Sequence, residues 1–368
     1  MQNIFIDLTG LARKITGIEN YTLNLFRNVV IIDKSNQYHL LFRKEIHSAF
    51  TCIDKANLHF YLSPYKSQFL TEQLYIPFFL LGKKFNKQVF PCFPPGIFAP
   101  VRNLQIICYD ASMWLFSETI SLKNKLYFRP LTERAIKKAQ TIFTISESSK
   151  QGISRVFPFA ASKIVNIKAA LPEGFAPVPK KEALSECRAL GVKTPFLLSV
   201  GSLEPRKNLL FTIRVLEPLL REKNMQLVLV GRNAWGTDEI SNEIAKRSLE
   251  NHIVRTGFIS SQQLQCLYST AEMFIFPSLY EGFGFPIVEA FSCGCPVISS
   301  NTSSIPEVAG DAALLIDPHD ENQLKQAVVS LLENPARRNE LCLKGTRQVT
   351  NFNWVDCASK FLEHLNRA

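Results

Sequence analysis

Nowhere in the 368 residues is there a run of the ~20 uncharged apolar side chains that a helix needs to span a bilayer. The opening MQNIFIDLTGLARK places Asp7 where a secretory leader would be apolar, so the chain is expected to stay on the cytoplasmic side. Nine cysteines, an odd number in no paired zinc spacing, suit a reducing compartment; Cys293 and Cys295 read as small core residues, and neither a disulfide nor zinc is expected. Histidine is scarce. His319 sits in a polar DPHDE turn, and the other five have no metal-ligand spacing, which points to metal-independent chemistry without a bound cofactor. Neither half carries G-x-G-x-x-G after a strand with an acid ~20 residues on, which disfavours a dinucleotide dehydrogenase. Tandem repeats and low-complexity tracts are also missing.

What is present fits roughly two domains, since this length exceeds what one core usually fills and 46% of residues are hydrophobic. The net charge of +10 is lopsided: residues 1–175 hold 22 Lys and Arg against 11 Asp and Glu, while residues 176–368 hold 20 against 21. An excess on one half is either a solvated face or a surface for an anionic partner such as phosphate-bearing lipid or a bilayer. Nucleic acid is disfavoured, because the bases are scattered and no reading helix or stacking motif accompanies them. Strands are expected at 3–8, 38–42, 58–62, 104–109 and 141–145, with helices between, in the alternating order of a parallel α/β sheet. Residues 77–100 are less regular. Phe78, Phe79, Leu80 and Leu81 followed by Lys83 and Lys84 fit a buried segment or one resting on a membrane. Proline and glycine between 170 and 194 mark a linker, and apolar runs at 196–201, 225–231, 253–256, 273–278 and 296–300 restart the rhythm. The expected division is 1–175, 176–352, and a last helix in 353–368 that packs back on the first domain.

The segment YEGFGFPIVEA at 280–290 carries the most chemistry. Gly282 and Gly284 let the backbone bend and bring the amides of Gly282, Phe283, Gly284 and Phe285 close to a ligand, and Pro286 suits a first helical turn. Such amides favour a diphosphate. Glu281 and Glu289 would repel a bare phosphate, so the ligand must also offer hydroxyls, as the sugar and ribose of a nucleotide sugar do. The alternative is an acid-flanked loop capping a core helix. After the strand ending at Gly201, SLEPRKN sets Arg206 and Lys207 at the carboxyl edge of the sheet, where they can clamp a diphosphate and stabilise a leaving group. Basic residues are disfavoured by the dipole at a helix start, which leans toward an anion ligand over a solvated turn. Gly231 and the pair Phe258 and Ile259 follow two further strands and can line a nucleobase slot, although Phe258 fits a core equally well. Tyr268 and Leu264 read as packing. In the first half, the loop 9–17 brings Arg13, Lys14 and Gly17 to a helix start, where amides and cations can face a phosphate, or form only a flexible loop.

The spacing of Glu281 and Glu289 is the E-x7-E signature of retaining glycosyltransferases, and from about residue 196 to 365 the chain resembles glycosyltransferase family 4. The resemblance implies a GT-B fold, two Rossmann-like domains with parallel sheets facing across a cleft, the N-terminal one for the acceptor and the C-terminal one for the donor. It implies that Arg206 and Lys207 meet the donor diphosphate, Glu281 the sugar, Glu289 the ribose, and the turn at Phe258 and Ile259 the base. GIENYT resembles the family's G-I-x-x-Y-x segment. Where members often carry His-Asp this chain reads Cys108-Tyr109-Asp110, so the histidine is absent. Retaining transfer in the family is thought to need no enzymatic nucleophile, the donor phosphate helping to deprotonate the acceptor. Tyr109 and Asp110 are then acceptor-side candidates, Asp110 alternatively a cap for Ser112. The expected reaction moves a hexose, mannose from GDP-mannose first and rhamnose or glucose next, to a glycan, either polyprenyl-diphosphate-linked at the inner face of the membrane for a surface polysaccharide or soluble. An epimerase of similar fold and a nonenzymatic carbohydrate- or lipid-binding protein are the rivals.

Overall fold

Near-continuous apolar runs become the interior strands of two parallel sheets, because both faces of such strands are covered by helices. A computed structural model describes residues 1–11, 17–53, 55–117, 122, 124–171, 174–233 and 237–367. The chain divides into unit 1, residues 1–170 with 353–368, and unit 2, residues 171–352. Unit 1 holds β1 (Asn3–Asp7), β2 (Gln37–Phe42), β3 (Leu58–Leu62), β4 (Lys87–Phe90), β5 (Leu104–Ile107), β6 (Thr141–Thr144) and β7 (Ile164–Asn166), paired in parallel in the order β3-β2-β1-β4-β5-β6-β7. Unit 2 holds β8 (Phe196–Val200), β9 (Gln226–Val230), β10 (Ile253–Gly257), β11 (Met273–Phe276), β12 (Val297–Ser300) and β13 (Ala313–Ile316), parallel in the order β10-β9-β8-β11-β12-β13. This is the doubly wound order of a Rossmann-like sheet, and ligands of such sheets bind beyond the carboxyl ends of the strands where the order reverses. In unit 2 the reversal lies between β8 and β11; in unit 1 it lies between β1 and β4.

Leu197, Leu227, Leu229, Ile275 and Ile298 form the buried sheet face of unit 2, packed with Ile213 and Leu216 from the helix Leu209–Glu222. In unit 1 the helix Gly17–Ile32 lies against the helix Trp354–Arg367, with Phe361 edge-on to Phe26 at 5.3 Å and 4.6 Å from Phe143. Three strands go beyond those expected. β4 reads KQVF, and its buried Lys87 and Gln88 disguise it, while β7 and β13 are three and four residues long. The run Phe78–Leu81 is neither wholly buried nor wholly exposed: Leu80 is in the core and Phe78 and Leu81 face out. Among the described residues, no helix is long and apolar enough to cross a membrane.

Candidate functional site

At the reversal point of unit 2, β8 leads into a 3₁₀ turn, Pro205–Lys207, and β11 into the loop that ends at Gly284. Asn208 adopts the left-handed conformation that lets the chain leave the turn and start the helix Leu209–Glu222. The two loops are joined by charge. Lys207 Nζ donates to Glu281 Oε1 at 2.6 Å, and Arg206 lies 3.0 Å from Glu281 Oε2 and 2.6 Å from Glu204 Oε1. Arg206 also donates to the Tyr280 carbonyl, and its own carbonyl accepts from Leu279 N–H at 2.9 Å. Lys207 Nζ sits 4.7 Å from the centre of the Phe276 ring, a cation over an aromatic face. Burial alone would raise the Glu281 pKa, but the facing Arg206 and Lys207 charges and the Lys207 hydrogen bond pull it down to about 2. Glu281 is therefore a fixed anion that holds two cations, a task the sequence did not suggest for it beside that of meeting sugar hydroxyls.

Two serines hold the turn. Ser303 Oγ accepts from Glu281 N–H at 2.9 Å, and Ser304 Oγ donates to the carbonyls of Glu281 and Phe283 at 3.0 and 2.9 Å. Gly284, at φ +102°, sits in a conformation that side chains resist and opens the helix Phe285–Ser292, with Pro286 in its first turn. Phe283 is buried against Phe285 and Phe352, so it contributes packing as well as backbone. Glu289 lies in the second turn of that helix, partly exposed, and its Oε2 accepts from Tyr268 Oη at 3.2 Å. Burial raises the Glu289 pKa to about 7, against the Tyr268 hydrogen bond, which lowers it. Tyr268 thus packs, as expected, and also orients a carboxylate.

Beyond β9, Gly231 is required by close approach: a Cβ there would stand 1.9 Å from the Gly201 carbonyl oxygen. Leu203 N–H donates to the Arg232 carbonyl at 3.0 Å, which keeps the loops after β8 and β9 side by side. Past β10, Phe258 is 68% exposed and Ile259 is half-buried, so the core reading of Phe258 does not hold and its ring face is available.

In unit 1, Gly17 is exposed at the first turn of the helix Gly17–Ile32, while Arg13 and Lys14 lie outside the described residues. Tyr109 Oη hydrogen-bonds Thr22 Oγ1 at 2.8 Å, and its ring lies edge-on to Tyr21. Asp110 Oδ1 accepts from Ser112 N–H at 2.7 Å, a turn just ahead of the short helix Ser112–Leu115, whose N-cap position is Ala111. Sequence reasoning passed over a buried polar cluster at the reversal point of this sheet. Glu72 accepts from Gln68 Nε2 at 2.7 Å and Tyr127 Oη at 3.0 Å, Gln68 also reaches Thr9 Oγ1, and Asp7 Oδ1 accepts from Thr9 N–H. Burial raises Asp7 to about 6 and Glu72 to about 7. Glu204, Tyr268, Ser303 and Ser304 were likewise missed; the Ser-Ser-Ile-Pro run before a helix was the available signal for the serines, and nothing local signals Tyr268.

Residues 180–348 match the family described as glycosyl transferases group 1. O-antigen chain mannosyltransferase B of Escherichia coli is 30% identical to this chain over 271 residues, which cover 72% of this chain and 71% of that protein. Among solved structures, sucrose-phosphate synthase (tll1590) from Thermosynechococcus elongatus has a TM-score of 0.74 at 17% identity, covering 100% of this chain and 99% of that one. Anabaena Alr3699/HepE, in complex with UDP and glucose, has a TM-score of 0.74 at 16% identity with both chains fully covered. These two structures share the fold: two Rossmann-like α/β units with parallel sheets, the GT-B class expected from the sequence.

Proposed function

The chain belongs to the glycosyl transferases of group 1, and we propose that it is a retaining enzyme of glycosyltransferase family 4 that moves a hexose from a nucleoside-diphosphate sugar to a glycan acceptor. Mannose is the first choice of sugar, supported by the mannosyltransferase named above, and GDP-mannose the first choice of donor. Unit 2 takes the donor and unit 1 the acceptor. The observation that carries this is the bridging of Arg206 and Lys207 by Glu281 at the reversal point of β8 and β11, at the turn leading into the helix that bears Glu289.

Glu281 and Glu204 hold the guanidinium and ammonium in place before the donor arrives, so no reorganisation is needed when charge develops. As the bond from the anomeric carbon to the diphosphate oxygen breaks, that oxygen gains charge beside Arg206 and Lys207. The acceptor oxygen bonds to the anomeric carbon on the same face, and its proton passes to a donor phosphate oxygen. Glu289 accepts hydrogen bonds from the ribose hydroxyls, the 282–285 turn faces the sugar and diphosphate, and Gly231, Phe258 and Ile259 line the base. Because two fixed cations supply the positive charge, transfer proceeds without a metal. Arg13, Lys14, Gly17, Tyr109 and Asp110 serve the phosphate and acceptor side in unit 1. The acceptor is a lipid-linked glycan of a bacterial surface polysaccharide, and the chain works at the inner face of the cytoplasmic membrane.

A panel of nucleoside-diphosphate sugars, scored by melting temperature, tests the reading. The true donor at a hundredfold excess over its Kd stabilises unit 2 by about 2.7 kcal/mol; if none of the panel raises the transition, the proposal fails. With the donor found, transfer should be unchanged by EDTA, and the product should keep the donor's anomeric configuration.

A further inference from the structure

The helical stretch that follows β3 is built in three pieces, Gln68–Leu70, a π turn Thr71–Tyr75, and Ile76–Leu80. A π turn carries one residue more than an α turn, so positions five apart across it fall in line. Phe69 and Leu74 are five apart, Phe78 follows four later, and all three face solvent at 56%, 44% and 71% exposure. Leu81, just past the helix, extends the row, while Thr71, Glu72, Ile76 and Leu80 turn inward. Ile97 and Phe98, the latter 78% exposed, adjoin this helix: Ile97 N–H donates to Gln73 Oε1 at 3.0 Å, and Gly96 lies so close to the Glu72 carbonyl that a Cβ would come within 2.2 Å of it. Six bulky apolar side chains are thus exposed within about thirty residues, where a solvated surface scatters them singly.

Across residues 55–109 the exposed charge has one sign. Between Asp54 and Asp110 the sole carboxylate is Glu72, which is buried and bonded to Gln68 and Tyr127, against six bases of which Lys66, Lys83, Lys84 and Arg102 are exposed. Lys83 Nζ is anchored 3.7 Å from the centre of the Phe79 ring, at the end of the apolar row. A second copy docking through the same face would bring one lysine rim against another. Bulky apolar residues collared by lysine suit the boundary between anionic headgroups and acyl chains. We propose that this face of unit 1, centred on Phe69, Leu74, Phe78 and Leu81 and rimmed by Lys83 and Lys84, docks on an anionic lipid bilayer; this deepens, and rests on, the reading of the chain as a transferase working at a membrane surface.

Flotation of the full chain with vesicles of phosphatidylcholine alone, or with about a third phosphatidylglycerol, tests the proposal. The anionic vesicles should bind at least tenfold more protein, and added salt should weaken that binding. Phe78→Ser with Leu81→Ser should reduce it at least tenfold, and Lys83→Gln or Lys84→Gln about fivefold each. Equal flotation on both vesicles, or wild-type flotation of the Phe78 and Leu81 variant, overturns the proposal. So does a lipid-free dimer in sedimentation that this variant converts to monomer, which would assign the face to a second copy. Nucleoside-diphosphate release measured without vesicles should be the same in all variants, so a failure of the transferase reading appears there and not in flotation.

Discussion

Glu281 and Glu289 are the same side chain eight positions apart, and their surroundings drive them in opposite directions. Glu281, held at about 2 by Arg206 and Lys207, favours folding with its charge on: that stability is fully present above its ordinary value of 4.5 and is lost as pH falls toward 2. Lys207 gives Glu281 the shorter contact, 2.6 Å against 3.0 Å, and a hydrogen bond, while Arg206 is shared with Glu204 and the Tyr280 carbonyl, so Lys207→Ala leaves Glu281 more nearly unpaired than Arg206→Ala does. Breaking a buried pair costs about 3 kcal/mol, or roughly 6–12 °C of melting temperature in a unit of this size, and Arg206→Ala should cost less. A calorimetric scan of both variants decides the order. Glu289 has the opposite sign: its folded pKa of about 7 means the ligand-free protein loses stability through this group as pH rises from 4.5 to 7. The ribose contact proposed for Glu289 needs the ionised carboxylate, so donor affinity should improve up to about tenfold per pH unit below 7 and level off above. Tyr268→Phe removes the hydrogen bond that favours the charged form and should move that inflection upward, whereas Glu289→Gln should flatten it. Calorimetric Kd values across pH measure both.

The elements that position these residues differ in how openly their sequences declare them. β8, β9, β11 and β12 read as near-continuous apolar runs and were legible, as was the Gly-Phe-Pro entry to the helix bearing Glu289. β4 was not, because its buried Lys87 and Gln88 break the apolar signal; Gln88 is satisfied by Arg102 N–H at 3.2 Å, a partner fourteen residues away. The π turn at Thr71–Tyr75 hides in the same way: it shifts an apolar spacing from four to five, so neither a helical nor a strand period fits the Phe69–Leu81 region. The meeting of Lys207 with Glu281 spans 74 positions, and that of Tyr268 with Glu289 spans 21, so sheet order rather than local pattern creates both. Glycine tests the same scale. Gly231→Ala would drive a methyl group into the Gly201 carbonyl, a backbone atom that cannot swing aside, and should cost more than about 2 kcal/mol. Gly284→Ala comes closest to the flexible end of Ile287, at 3.3 Å, and should cost about 1–2 kcal/mol of conformational strain. Denaturant midpoints at constant m-value should therefore fall further for Gly231→Ala.

At the scale of the molecule, unit 1 is assembled from the two ends of the chain. Tyr21 Oη lies 3.2 Å from Cys357 Sγ across 336 positions, and Tyr21 also meets Trp354, so this core is completed only by the last helix. Unit 2 is contiguous and contains the ion cluster and Glu289 together. Phe361 is fully buried between Phe26 of the first helix and Phe143 of β6, and truncating it leaves a cavity that neither neighbour can fill without moving the helix. Phe361→Ala should therefore cost about 3–5 kcal/mol, all of it in unit 1. Hydrogen exchange resolves where that loss falls, because amides report the opening of their own cooperative region. Exchange should accelerate in β1, β6 and the helix Gly17–Ile32 and stay at wild-type rates in β8, β11 and β12. Acceleration in the strands of both units would overturn the confinement of this helix's contribution to unit 1. Unchanged rates in β6 would remove Phe361 from the core altogether.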